Sequence, residues 1–167
     1  MVDDNDIFLI EEYEKTSHPE NGMFSISDES GILKILSEFQ DYLPPLKNGE
    51  YRKSAAEKLS KYACCILLRK DYVNVGFAAI YANDKETKTG FIPFIAVSEH
   101  FRKRNYGTLL LDTLIRIAKD NQMEQIKLEV YKSNTNAQIF YLKNGYQYLT
   151  DGDNDSVFMI KKIDYSK

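Results

Sequence analysis

The residues whose chemistry is most legible run without a break: Ile95-Ala96-Val97-Ser98-Glu99-His100-Phe101-Arg102-Lys103-Arg104-Asn105-Tyr106-Gly107-Thr108. They read as the end of an apolar strand, a loop with three consecutive bases, and the start of a helix. The first turn of a helix leaves its N–H groups without intrahelical acceptors, and the helix dipole adds partial positive charge there. A compact loop ahead of it aims further N–H groups at the same point. Arg102, Lys103 and Arg104 add full charges, and the combination suits a pyrophosphate. A solvated basic loop that merely caps a helix carries the same charges, so charge alone leaves both readings open. A second reactive group is Glu129. On a strand, its neighbours Leu128 and Val130 point to the opposite face, so the carboxylate either lines a cleft or meets solvent.

Composition removes several other chemistries. The chain has 167 residues, a length that suits one domain with a real core. Twenty-five acids against 22 bases give a net charge of -3, which argues against a protein that coats nucleic acid. The two cysteines, Cys64 and Cys65, are adjacent. Sequence neighbours rarely meet disulfide geometry, so they read as packed thiols in a reducing compartment. His18 and His100 are far apart and neither stands at ligand spacing from the cysteines, so no metal is expected. Apolar stretches such as 91–97 are far too short to span a bilayer. The start, Met1-Val2-Asp3-Asp4-Asn5-Asp6, is acidic where a secretory signal is basic and then apolar. A soluble, cytoplasmic protein is expected, with neither nucleic acid nor membrane as a partner.

The elements that must position these groups follow from periodicity. Residues 7–10 and 23–26 are short strand candidates. Asp28 is a helix cap, followed by Ile32, Leu33, Ile35, Leu36 and Phe39 at helical spacing, with a stop before Pro44-Pro45. A second helix covers 51–61, with Ala55, Leu59 and Tyr62 on one face. Three strands follow at 63–69, 73–82 and 91–97, with a turn at Lys70-Asp71 and a polar loop over 83–89. Gly76 and Pro93 inside these runs mark a bulge, an edge, or a close approach to the backbone. An amphipathic helix over 106–119 turns Leu110, Leu111, Leu114, Ile117 and Ala118 inward. Strand 125–131, helix 134–143 with its stop at Asn144-Gly145, and strands 146–150 and 156–163 complete the order, the last two joined by the turn-rich residues 151–155. This is a mixed α/β domain on one central sheet of about six to seven strands, flanked by about four α-helices.

The loop segment resembles the acetyl-coenzyme A signature of the GNAT N-acetyltransferases, Arg/Gln-x-x-Gly-x-Gly/Ala after a strand that ends in Val. Here it reads Arg102-Lys103-Arg104-Asn105-Tyr106-Gly107. Asn105 stands where the first glycine usually stands, and asparagine tolerates left-handed backbone angles better than most residues. The run Leu128-Glu129-Val130 through Asn134-Thr135-Asn136-Ala137 to Tyr141, then Gly145-Tyr146, is similar to the family's later motif at the expected distance. The resemblance covers about 73–163 and implies a single GNAT domain over 1–167, with an acceptor-side helical region at 1–62 and an acetyl-coenzyme A-binding core at 63–163.

The resemblance also implies roles. Backbone groups of Ile95, Ala96 and Val97 hold the pantetheine as if it were an added strand, in a slot that splayed strands open. Arg102, Lys103, Arg104, Asn105, Tyr106, Gly107 and Thr108 hold the pyrophosphate. Asn134 contacts the cofactor arm, or is simply the N-cap of the next helix. A backbone N–H near Val97 polarises the thioester carbonyl. Tyr141 is the general acid for the departing thiolate, against the reading that it is one packed tyrosine among twelve. Glu129, in the Leu-Glu-Val context of some ribosomal-protein N-terminal acetyltransferases, is the candidate base, against a half-exposed strand glutamate. Tyr81, Asp84, Glu99 and His100 are reserves. Attack is direct in a ternary complex, without a cysteine nucleophile or metal. Acceptor selection falls to the first sixty residues and the 83–89 loop, with Tyr42, Pro44, Pro45 and Tyr51 as the roof. The Tyr81-Ala82-Asn83-Asp84 and Pro44-Pro45-Leu46 segments resemble acetyltransferases encoded among polysaccharide genes, so a nucleotide-linked amino sugar is the favoured acceptor. A protein N-terminus is the runner-up acceptor, and a non-catalytic acetyl-coenzyme A-binding module is the competing class. A homodimer through the last strand fits what is common in the family.

Overall fold

A computed structural model of the chain describes residues 10–12 and 21–166. His18 and residues 7–9 of the first strand candidate lie outside the described residues. Eight strands form one hydrogen-bonded sheet: β1 (Ile10–Glu12), β2 (Gly22–Ile26), β3 (Cys64–Lys70), β4 (Val73–Tyr81), β5 (Thr89–Val97), β6 (Gln125–Tyr131), β7 (Gln147–Asp151) and β8 (Ser156–Lys162). Their order across the sheet is β1-β2-β3-β4-β5-β6-β8-β7. β1, of only three residues, begins at the last residue of the 7–10 candidate, and the single sheet with four flanking helices is the expected architecture. The helices are α1 (Glu29–Glu38), α2 (Gly49–Tyr62), α3 (Tyr106–Asp120) and α4 (Thr135–Lys143). The sheet is mixed, as expected: β1 runs parallel to β2 and β5 to β6, while β2–β3, β6–β8 and β7–β8 are antiparallel.

The chain divides into two compact units. The first contains Phe94–Leu114 and the described residues that precede Ile80. Here Asp28 caps α1, its carboxylate accepting from Gly31 N–H at 2.9 Å, and Ile32, Ile35, Leu36 and Phe39 are buried. Two short 3-10 turns, Gln40–Tyr42 and Pro44–Lys47, lead to α2, which Asn48 caps through Tyr51 N–H at 3.0 Å. The buried face of α2 is Ala56 and Leu59, while Tyr62 is exposed, so the expected Ala55–Leu59–Tyr62 face is rotated by about one residue. Arg52 explains the rotation. Its Nη1 donates to Gln40 Oε1 at 3.0 Å and to the Leu46 carbonyl at 2.7 Å, pinning that side of α2 to the turns before it.

Cys65 to Leu68 in β3 are buried in succession, as are Phe77 to Ala79 in β4. Continuous burial marks strands covered on both faces. The turn between them is Asp71-Tyr72, one residue beyond the expected position. Both have positive φ, 50° and 63°, which is the twist a two-residue hairpin requires.

The second unit contains Ile80–Pro93 and the described residues from Ile115 onward. β5 pairs with β6 from Thr89↔Gln125 to Ile92↔Leu128. The next residue of β5 is Pro93, which has no N–H to give to a ladder. β8 pairs with β6 along its length, and β7 is the sheet edge, exposed at every residue. Asn144-Gly145 closes α4 as expected. Gly145 takes φ 88°, and Tyr146 N–H returns to the Tyr141 carbonyl at 3.0 Å, a left-handed C-terminal stop.

Among the described residues no helix is long and apolar enough to cross a membrane. None of their His, Cys, Asp and Glu side chains gather in threes as a metal site would need. The adjacent cysteines diverge as strand neighbours must: Cys64 is exposed and Cys65 buried, and burial pushes the Cys65 thiol up to about 12. Below pH 9 this thiol is protonated whether the chain is folded or not, so it has no pH effect there. At higher pH the unfolded chain ionises first, and stability is lost as pH rises toward 12. Urea titrations from pH 8 to 10.5 are expected to show this decline, and Cys65→Ala to lessen its slope. Thiol labelling of the native protein is expected to modify Cys64 alone.

Candidate active site

The sequence candidates fall into two groups, one in each compact unit. The first group runs from β5 through the basic loop into α3. Ser98, just past β5, donates its N–H to the Val75 carbonyl of β4 at 2.8 Å. Successive residues of an extended strand present their N–H and C=O to alternate sides. Ala96 therefore faces β4, and Ile95 and Val97 present their backbone groups to the opposite side. Gly76 permits this packing. A Cβ there would lie 2.9 Å from Leu110 Cδ1 of α3 and 3.3 Å from the Ala96 carbonyl oxygen. The close-approach reading of Gly76 is thereby met.

After β5 a single 3-10 turn, Glu99–Phe101, leads into the basic loop. Arg102 is extended, with φ -70° and ψ 160°. Lys103 and Asn105 are both left-handed, with φ 61° and 63°. Asparagine at 105 thus does what a glycine would do, and Lys103 adds a second left-handed residue that nothing in its side chain announces. The first backbone bond of α3 runs from Leu109 N–H to the Asn105 carbonyl at 3.0 Å. The N–H groups of Tyr106, Gly107 and Thr108 precede it, so they have no acceptor within the helix. Tyr106 is buried, with its ring 6.4 Å from that of Phe101, which anchors the first turn of α3. The Arg104 guanidinium lies 5.4 Å from the Phe101 ring centre.

Arg102 is turned back on the protein. Its Nε donates to the Val97 carbonyl at 3.2 Å, and its guanidinium lies 5.1 Å from the centre of the Tyr42 ring. Sequence reasoning placed Tyr42 in the roof and Arg102 in the loop, and no spacing signal joins residues so far apart in the chain.

The second group lies on β6 and α4. Glu129 is exposed, while Leu128 and Val130 are buried, as alternation requires. Its carboxylate accepts a short hydrogen bond from the buried hydroxyl of Ser156 on β8. Gly152 N–H donates to the Ser156 carbonyl at 2.8 Å. A Cβ on Gly152 would lie 2.8 Å from Glu129 Oε1 and closer still to the Ser156 hydroxyl. Sequence reasoning missed Ser156 and Gly152, because their only local signal was a turn.

Asn134 does cap α4, its Oδ1 accepting from Ala137 N–H at 3.2 Å. Tyr141 is buried, 5.4 Å from the Phe140 ring and 5.7 Å edge-to-face from Tyr146. Burial pushes its phenol well above the ordinary tyrosine value, so it keeps its proton throughout the neutral range. Of the reserves, Glu99 and His100 are exposed on the 3-10 turn. Asp84 is a loop organiser. Its carboxylate accepts from the Thr87 hydroxyl and from the N–H groups of Thr87 and Glu86, and these bonds hold its carboxyl below the usual range.

A family model described as the Acetyltransferase (GNAT) family matches residues 32–146. The chain is similar in structure to an acetyltransferase from Streptococcus agalactiae, with TM-score 0.72 and 15% identity over 86% of this chain and 98% of that one. A GNAT-family acetyltransferase from Staphylococcus aureus gives TM-score 0.68 and 16% identity over 86% and 100%. The PaiA N-acetyltransferase of Thermoplasma acidophilum, solved in complex with coenzyme A, gives TM-score 0.64 and 19% identity over 84% and 99%. No curated protein sequence matches.

The backbone of the loop makes its own prediction. A left-handed non-glycine residue costs roughly 1–2 kcal/mol, less for asparagine. Lys103→Gly is expected to raise stability by about 0.5–1 kcal/mol, and Asn105→Val to lower it by about 1–2 kcal/mol, both read from urea unfolding midpoints.

Proposed function

The chain belongs to the acetyltransferase (GNAT) family, and we propose that it transfers acetyl from acetyl-coenzyme A to a small primary amine by direct attack in a ternary complex. The observation that carries this reading is the loop with left-handed Lys103 and Asn105, which delivers the helix to its first free N–H groups at Tyr106, Gly107 and Thr108. Residues 102–108 would hold the pyrophosphate there. The backbone groups of Ile95 and Val97, turned away from β4, would take the pantetheine arm, with Ala96 between them, and a backbone N–H near Val97 would stabilise negative charge on the thioester oxygen. Asn134 would contact the arm while it caps α4.

Acetyl-coenzyme A supplies an activated acyl group, so the protein has two protons to manage. An alkyl amine of pKa about 10.4 is free in about one molecule in a few thousand at pH 7. Glu129, held by Ser156, would take the amine proton, directly or through water. The neutral amine would add to the carbonyl, the intermediate would lose its second N–H proton as the C–S bond breaks, and Tyr141 would give a proton to the departing sulfur and regain one from that nitrogen through water. A thiol of pKa about 8.5 leaves readily, so a phenol that holds its proton firmly can still serve as the donor.

The whole chain would act as one acetyltransferase domain, with 1–62 on the acceptor side and 63–163 as the acetyl-coenzyme A-binding core. The Tyr42 ring beneath Arg102 supports this assignment, because it brings the segment between α1 and α2 to the end of β5. Aromatic and proline surfaces at Tyr42, Pro44, Pro45 and Tyr51 suit a sugar ring, so an amino sugar is the favoured acceptor. The reduced-thiol reading of Cys64 and Cys65 supports a cytoplasmic location. A second reading, acetylation of a protein N-terminus, draws support from Glu129 standing on a strand twelve residues before Tyr141.

An amine panel assayed with acetyl-coenzyme A, covering amino sugars, polyamines, amino acids and short peptides, tests the proposal by thiol release. Turnover is expected with amino sugars. Preference for peptides would move the assignment to the second reading, and coenzyme A binding without any turnover would point to a binding module. Tyr141→Phe is expected to lower kcat by about tenfold or more with little change in cofactor affinity. Glu129→Gln is expected to lower the rate at neutral pH and steepen its rise toward high pH, where the amine loses its proton unaided.

A further inference from the structure

We propose that Tyr42 is a positioning residue for the pyrophosphate loop, although it lies far outside the signature segment. The inference rests on the reading of residues 102–108 as the coenzyme A loop. Three observations in one compact unit carry it.

First, the guanidinium of Arg102 is already engaged. Its Nε donates to the Val97 carbonyl at 3.2 Å and its Cζ lies 5.1 Å from the Tyr42 ring centre. Arg102 therefore serves the loop by fixing where it leaves β5, and its side chain is not the anion's main charge partner. Lys103 is exposed and is left for that role, whereas the Arg104 guanidinium lies over the Phe101 ring.

Second, Tyr42 is itself held. Its ring stands edge-on to Phe39 at 6.0 Å, and Phe39 is buried at the end of α1. The segment around it is clamped by Arg52, which bonds Gln40 Oε1 and the Leu46 carbonyl, and by the fully buried Leu46. A ring on so fixed a segment is a rigid seat for a cation.

Third, the loop needs an external brace. It contains two left-handed non-glycine residues, a conformation that costs energy unless the surroundings hold it. The stacked Arg102 is the residue immediately before the first of them. The path Phe39–Tyr42–Arg102–Val97 thus ties the segment between α1 and α2 to the end of β5 and the start of the loop.

The test uses the full chain and coenzyme A as the probe, with affinity read by calorimetry. Tyr42→Ala and Arg102→Ala are each expected to weaken coenzyme A binding by threefold or more, on the order expected for a cation–π contact and the hydrogen bond it supports. The double variant is expected to be no weaker than the worse single one, because both remove the same link. Tyr42→Phe, which keeps the ring, is expected to bind like the parent. Hydrogen exchange of residues 103–108 in the free protein is expected to quicken in Tyr42→Ala and not in Tyr42→Phe. Affinity changed by less than threefold in both single variants, or effects that add in the double variant, would overturn the proposal. Failure of the parent to bind coenzyme A would instead sink the acetyl-coenzyme A reading, and the exchange measurement would then decide by itself whether Tyr42 braces the loop.

Discussion

The chain must turn from β5 into α3 within a few residues and arrive with the first helical N–H groups presented at the turn. Most of the first unit is arranged around that constraint. A turn so tight needs left-handed backbone, and Lys103 and Asn105 supply it. The turn then has to be held at both ends. At its entry, Ser98 is tied to β4 through Val75 and Arg102 is tied to Val97. At its exit, buried Tyr106 and Leu110 pack α3 down, with Gly76 of β4 lacking the atom that would push Leu110 away. The segment between α1 and α2 contributes Tyr42 to the same support. Non-glycine residues persist in left-handed conformations only when their surroundings hold them in this way.

The second unit sets the two side chains proposed for proton transfer in opposite surroundings. Tyr141 is buried among aromatic rings on α4, where desolvation keeps it protonated. Glu129 stands exposed on β6, where the Ser156 hydroxyl fixes its orientation. Burial of the phenol favours its neutral form, which fits the donor role proposed for it. Gly152 completes the arrangement, because any side chain there would occupy the space of the carboxylate and its hydroxyl partner.

Much of this was legible in the sequence. Strong helical periodicity placed α1 and α3, the Asp28, Asn134 and Asn144-Gly145 signals marked helix ends, and apolar runs marked β3 to β5. The rotation of α2 was not legible, because its charged sequence has a weak apolar stripe and Arg52 settles which side faces in. The short strand at Ile10–Glu12 shares only Ile10 with the 7–10 candidate, since three residues carry too little period to fix their bounds. In the candidate site, charge left the basic loop open to two readings and the resemblance of its motif chose between them, while Asn105 was correctly read as a residue able to turn left.

The sequence by itself determined the family, the element order, and the residue types that chemistry could use, because each of these depends on neighbours a few positions apart. Only the tertiary structure decided that Arg102 faces back onto Tyr42 and Val97, that Ser156 and Gly152 frame Glu129, and that Lys103 is left-handed. Those facts depend on which side chains meet after the strands pair and the helices pack. Such meetings join residues tens of positions apart, and no local pattern of spacing or hydropathy records them.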